Sequence, residues 1–106
     1  MIQISIKTNS GLIVAFTCKG HAGYEDAGKD IVCASVSALT INAVNSVEKL
    51  TGDKFTCKDS DGYLSFRFEQ KPGPEANLIM QSMLIGLQNI ENEVGSRYVK
   101  ITVVDS

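Results

Sequence analysis

A single histidine, His21, stands twelve residues ahead of a cysteine, Cys33. Between them run Ala22-Gly23-Tyr24-Glu25-Asp26-Ala27-Gly28-Lys29, a glycine-rich loop, and Asp30-Ile31-Val32, the start of a predicted helix. These are the parts of a thiol enzyme. A thiol is a poor nucleophile until it becomes thiolate. A neighbouring imidazole and the positive end of a helix both favour that change. With Asp30 as N-cap, Cys33 takes the third helical position, among backbone N–H groups that lack intrahelical partners. Such donors can also hold the oxyanion formed on an attacked carbonyl. His21 would take the thiol proton and later pass it to a leaving amine.

Several neighbours could assist. Gly20, Gly23 and Gly28 permit tight turns and close approach of a substrate chain, and they suit a loop that orders when substrate arrives. Asp30, Asp26 and Glu25 are near enough in sequence to orient the imidazole, although the cap role of Asp30 competes with that duty. Ser37 lies one turn after Cys33 on the same helix face, placed to touch substrate or support the thiolate. Each residue has a plainer reading. A cysteine near a helix start is usually a small buried hydrophobe, and a loop histidine is usually solvated. The pairing of the two is what favours chemistry. Cys18 and Cys57 fall in predicted strands and read as inert packing. A metal site built from His21, Cys33, Asp26 and Asp30 would hold less cysteine and histidine than structural zinc normally takes, so no metal or cofactor is expected.

The elements that must position this chemistry are legible. Ile2, Ile4 and Ile6 alternate with polar residues as a half-buried strand. Asn9-Ser10-Gly11 turns the chain, and Leu12 to Cys18 returns as the second strand of a hairpin. From Asp30 to about Leu50 an apolar stripe of Val32, Val36, Leu39, Ala43, Val47 and Leu50 predicts an amphipathic helix, stopped by Gly52. Phe55 to Lys58 and Tyr63 to Glu69 form a second hairpin about Asp59-Ser60-Asp61-Gly62, with Leu64, Phe66 and Phe68 on one face. Pro74 opens a second helix that ends near Val94, with Met80, Leu84, Leu87, Ile90 or Glu91, and Val94 on its stripe and Gly95 as its stop. Arg97 to Val104 is the last strand. The expected fold is α+β, in the order ββαββαβ: a two-layer domain over residues 1–106, mostly antiparallel, with two amphipathic helices on one face.

Composition narrows the function. With 43% hydrophobic and 21% charged residues, the chain reads as one ordinary globular domain. Polar residues interrupt every apolar run, so no membrane span is expected. The alternating N-terminus is not a signal peptide, which makes a cytoplasmic location the default. The three cysteines show no Cys-x-x-Cys spacing and are expected as free thiols in a reducing compartment. A net charge of −2 offers no bulk basic surface for direct nucleic-acid binding.

The blocks Gly20-His21-Ala22-Gly23-Tyr24, Gly28-Lys29-Asp30-Ile31-Val32-Cys33-Ala34 and Val36-Ser37-Ala38-Leu39 resemble the ribosomal-processing cysteine protease family Prp, and the element order agrees over essentially the whole chain. The resemblance implies a cysteine endopeptidase that removes the N-terminal extension of large-subunit ribosomal protein twenty-seven before ribosome assembly. Carried over by position, it makes His21 the general base and Cys33 the nucleophile. It further implies a homodimer, a glycine-rich loop that moves when substrate binds, and a groove for an aromatic and apolar segment. Ser35 departs from the alanine common after the Cys-Ala pair, and Glu25-Asp26-Ala27 falls in a variable stretch.

The alternative is a noncatalytic module that binds a ribosomal protein or assembly factor and keeps His21 and Cys33 for packing. A third reading, an RNA-binding assembly factor, would require a basic face.

Overall fold

The computed structural model describes residues 1–21 and 26–106; for residues 26–30 the backbone alone is described. The elements are β1 (Ile2–Asn9), β2 (Leu12–Lys19), α1 (Asp26–Leu50), β3 (Phe55–Ser60), β4 (Tyr63–Phe68), α2 (Pro74–Val94) and β5 (Val99–Asp105). The order is the expected ββαββαβ, and the class is α+β. The five strands form one sheet in the order β3-β4-β2-β1-β5. The β1–β2, β2–β4 and β3–β4 pairs are antiparallel, and only β1–β5 is parallel.

Strand alternation decides which face is covered. Ile2, Ile4 and Ile6 are buried, whereas Gln3 and Ser5 between them are exposed. Successive side chains point to opposite faces, so the helices lie on the isoleucine side. Against that face α1 buries Val32, Val36, Thr40, Ala43 and Val47, and α2 buries Ala76, Met80, Met83 and Leu87. Phe16 and Phe66, opposite one another across β2 and β4, stack with centroids 5.3 Å apart. Phe68 meets Phe66 edge-on at 4.9 Å. These offset and edge contacts are the favoured aromatic geometries.

Three local solutions fix the frame. Between Lys7 and Thr8 the β1–β2 register shifts. Beside that bulge the Ile13 N–H donates to Asn77 Oδ1 of α2 at 3.1 Å, so a backbone donor finds a partner outside the ladder. The N-terminus of α2 has no side-chain cap of its own; the Gly73 N–H instead donates to Asp53 Oδ2 at 2.8 Å. Where the helices cross, Gly86 of α2 faces Leu39 of α1 so closely that an added Cβ would lie 2.7 Å from Leu39 Cδ1.

The structure corrects three expectations. The first helix begins at Asp26, not Asp30. Ala27 and Lys29 have good helix propensity, and a lone Gly28 costs only about 1 kcal/mol in a helix interior, so propensity permits the earlier start. Asp30 is therefore not the N-cap, and Gly28 belongs to the helix rather than the loop. Leu50 ends the predicted stripe but is 76% exposed, so the buried side of α1 ends at Val47. Finally, Ile31–Leu50 is long and apolar enough to cross a membrane by length and composition alone. In the fold, its Val32, Val36 and Val47 side belongs to the core.

Candidate active site

Cross-strand pairing builds the floor of the site. Cys18 of β2 stands opposite Ile4 of β1 and Leu64 of β4, and Leu64 stands opposite Asp59 of β3. Directly paired residues share a sheet face. The row Ile4–Cys18–Leu64–Asp59 therefore faces the helices and runs outward from the core to the edge strand.

Above this floor α1 presents Cys33, Val36, Ser37 and Thr40, spaced by three and four residues as one helix face requires. Val36 and Thr40 are buried, Cys33 is half-buried and Ser37 is exposed. The face thus passes from core to solvent across the thiol. The Thr40 hydroxyl donates to the Val36 carbonyl at 3.0 Å, which satisfies the buried polar group.

Between helix and sheet lies a cleft of about 240 Å³. Cys33 and Ser37 line it from the helix, and His21 lines it from the end of β2. Ile2, Ile41 and Leu64 give it an apolar wall, while Asp59 and Asp61 of the β3–β4 hairpin bring carboxylates to it.

His21 is exposed, and its backbone is guided by the residue before it. Gly20 has φ +96°, and an added Cβ there would run into the Met1 carbonyl oxygen. The Gly20 N–H donates to the Gly62 carbonyl at 2.8 Å. Gly62, at φ +71°, forms the tip of the β3–β4 hairpin with Asp61, and an added Cβ there would lie 3.0 Å from His21 Nε2.

The structure thus brings Gly20, His21, Cys33 and Ser37 to one cleft. Gly23 and Glu25 lie outside the described residues, as do the side chains of Asp26 and Asp30. The helix start moves one piece of chemistry. With α1 opening at Asp26, Cys33 sits about two turns inside the helix. The unpartnered N–H groups of the first turn belong to earlier residues, so they are not the oxyanion donors expected at Cys33. Sequence reasoning missed the hairpin tip from Asp59 to Gly62 as part of the site. The Asp-Gly turn itself was legible, but nothing local said that it meets His21.

The family model for the cysteine protease Prp matches residues 1–100. The chain belongs to the Prp family of cysteine proteases. It is 36% identical over 96 residues to the ribosomal processing cysteine protease Prp of Staphylococcus aureus, covering 88% of this chain and 91% of that protein. It is 34% identical over 100 residues to the Prp of Bacillus subtilis, covering 88% and 89%. The fold matches the crystal structure of the essential S. aureus Prp in complex with a covalently linked product peptide, with a TM-score of 0.89 at 33% identity over 97% of this chain and 99% of that one. The same S. aureus protease with a substrate peptide matches with a TM-score of 0.87 at 32% identity, again over 97% and 99%.

Cysteine protease chemistry needs one thiol that can ionise, and this Prp member carries three free cysteines. Burial, and next the charge of Cys33, push the Cys18 thiol up to about 11. Burial first and Asp59 second also raise Cys57 on the edge strand β3. Cys57 is exposed, so it is not the packed residue the strand pattern implied. Both thiols are held towards their neutral, unreactive form.

Proposed function

We propose that the protease is an endopeptidase that removes the N-terminal extension of large-subunit ribosomal protein twenty-seven before ribosome assembly, using Cys33 as nucleophile and His21 as general base. The observation that carries the reading is the shared cleft, which His21 and Cys33 line from two separate elements. The relatives named as ribosomal processing proteases supply the substrate class.

His21 accepts the Cys33 thiol proton, and the thiolate attacks the scissile carbonyl carbon. The tetrahedral intermediate collapses as the imidazolium protonates the departing amine, leaving an acyl thioester on Cys33. His21 then takes a proton from water, and the hydroxide attacks the thioester. Collapse releases the carboxylic product and returns the proton to the thiolate. Ile2, Ile41 and Leu64 suit apolar or aromatic side chains beside the bond to be cut.

Free thiols suit a reducing cytoplasm, where we place the enzyme. We read it as a homodimer, which the exposed Leu50, Leu78 and Ile85 of the helices support.

The test is cleavage of a peptide spanning the precursor's extension. Wild type should cut it, while Cys33→Ala and His21→Ala should bind it and leave it intact. Cutting by Cys33→Ala would end the proposed mechanism.

A further inference from the structure

The structure assigns Gly62, at the tip of the β3–β4 hairpin, the role of seat for the His21 imidazole: a positioning residue whose missing side chain lets the base rest against the turn. This inference rests on the reading of His21 as the base.

Two observations point the same way. The Gly20 N–H donates to the Gly62 carbonyl at 2.8 Å, which ties the backbone just before the histidine to the turn. An added Cβ at Gly62 would lie 3.0 Å from His21 Nε2 and 3.5 Å from Cε1. That is tighter than ordinary van der Waals contact, so the ring would have to give. It is exposed and can swing toward solvent. The ring needs to give by only a few tenths of an ångström, so the fold should survive the change while the base loses its exact seat. A misplacement of about 1 Å can cost about 100-fold in rate, so the smaller shift needed here should cost about tenfold.

The competing explanation is that Gly62 serves only the turn, because φ +71° disfavours side chains. Gly11 separates the two. It has φ +81° in the β1–β2 turn, and an added Cβ there would meet nothing within 4 Å. Gly11→Ala therefore carries the backbone strain alone. Gly62→Asn makes the converse comparison, since asparagine tolerates this backbone region but still brings a Cβ.

The experiment compares wild type, Gly62→Ala, Gly62→Asn, Gly11→Ala and His21→Ala. It measures Tm, kcat and KM on the extension peptide, and the NMR titration of the imidazole protons. His21 is the only histidine, so its signals need no assignment. Both Gly62 variants should lose about tenfold in kcat with shifted His21 signals, while Gly11→Ala loses Tm but keeps kcat and the wild-type titration. Gly62→Asn should melt above Gly62→Ala yet cleave as slowly. Wild-type kcat and unmoved His21 signals in Gly62→Asn would overturn the seat. If His21→Ala cleaves like wild type, the Cys–His reading fails instead, and the imidazole signals of the Gly62 variants still decide whether the turn positions the ring.

Discussion

Cys18 of β2 and Cys33 of α1 line the same cleft, one from the sheet and one from the helix. Two thiols in one protease cleft would compete for the same chemistry if both ionised. Burial holds Cys18 back, with Cys33 adding to the effect, so its thiol ionises only near 11. Partial labelling with iodoacetamide at pH 7.5, followed by peptide mapping, should find Cys18 unmodified in the folded protein. Labelling of Cys18 ahead of Cys33 would contradict this division of roles.

The same shift makes a prediction about alkaline stability. The folded chain keeps the Cys18 proton up to about 11, whereas an unfolded chain releases it near the usual 9.0. The unfolded state therefore binds fewer protons between these values, and stability falls as pH rises through them. This contribution is fully present below pH 9. Urea unfolding at pH 8 and pH 10.5 should show the loss in wild type and a smaller loss in Cys18→Ala. Equal losses in both would mean that Cys18 is not the group responsible.

Ser37 reaches the cleft one turn beyond Cys33 and is exposed there. On the proposed reading, a hydroxyl in that place would give one hydrogen bond to a bound peptide. Ser37→Ala should keep the wild-type Tm and lose about tenfold in kcat/KM, the equivalent of one such bond. Steady-state kinetics on the extension peptide would show it, and an unchanged kcat/KM would remove Ser37 from the site.

Gly86 and Leu39 set the spacing of the two helices. In the wild-type background Gly86→Ala gains about 1 kcal/mol of helix propensity but loses more to overpacking, for a net loss of about 1 kcal/mol. With Leu39→Ala already in place, the same substitution should stabilise. A double-mutant cycle by urea unfolding reads the change of sign, and additive effects would show that the helices do not meet there as described.

Asp53 caps α2 from twenty residues before its N-cap, through the hydrogen bond from the Gly73 N–H. Asp53→Ala should cost about 1 kcal/mol, the usual loss for a missing cap, and Asp53→Asn should cost less because its carbonyl still accepts. Thermal unfolding of the two variants tests the ordering.

Much of this architecture was legible because it is periodic. Ile2, Ile4 and Ile6 announced their strand by alternation, and Val32, Val36, Ala43 and Val47 announced the buried face of α1. The start of α1 was harder. Asp30 has the chemistry of a cap, but such a residue also fits inside a helix, and α1 already begins at Asp26. On α2, the predicted stripe included Met80 and Leu87 but passed over Ala76 and Met83, which tertiary packing also buries. The loop histidine and helix cysteine were visible as a pair. Their neighbours Asp59, Asp61 and Gly62 were not, because they arrive through strand pairing between β2 and β4, and no short spacing records that pairing.

The parallel pairing of β1 with β5 orders events in time. Ile2 stands beside Val99, and the register continues to Thr8 beside Asp105. The strand that carries Ile2 to the wall of the cleft is made before the helices, yet it must await β5, made after them, for its outer neighbour. Contacts so distant along the chain close slowly. Every cleft residue named here can be synthesised before β1 has its outer neighbour, so a nascent chain holds the parts of a protease before it has the finished sheet to brace them. The sheet that braces the cleft is then complete only once β5 has been made and has paired with β1.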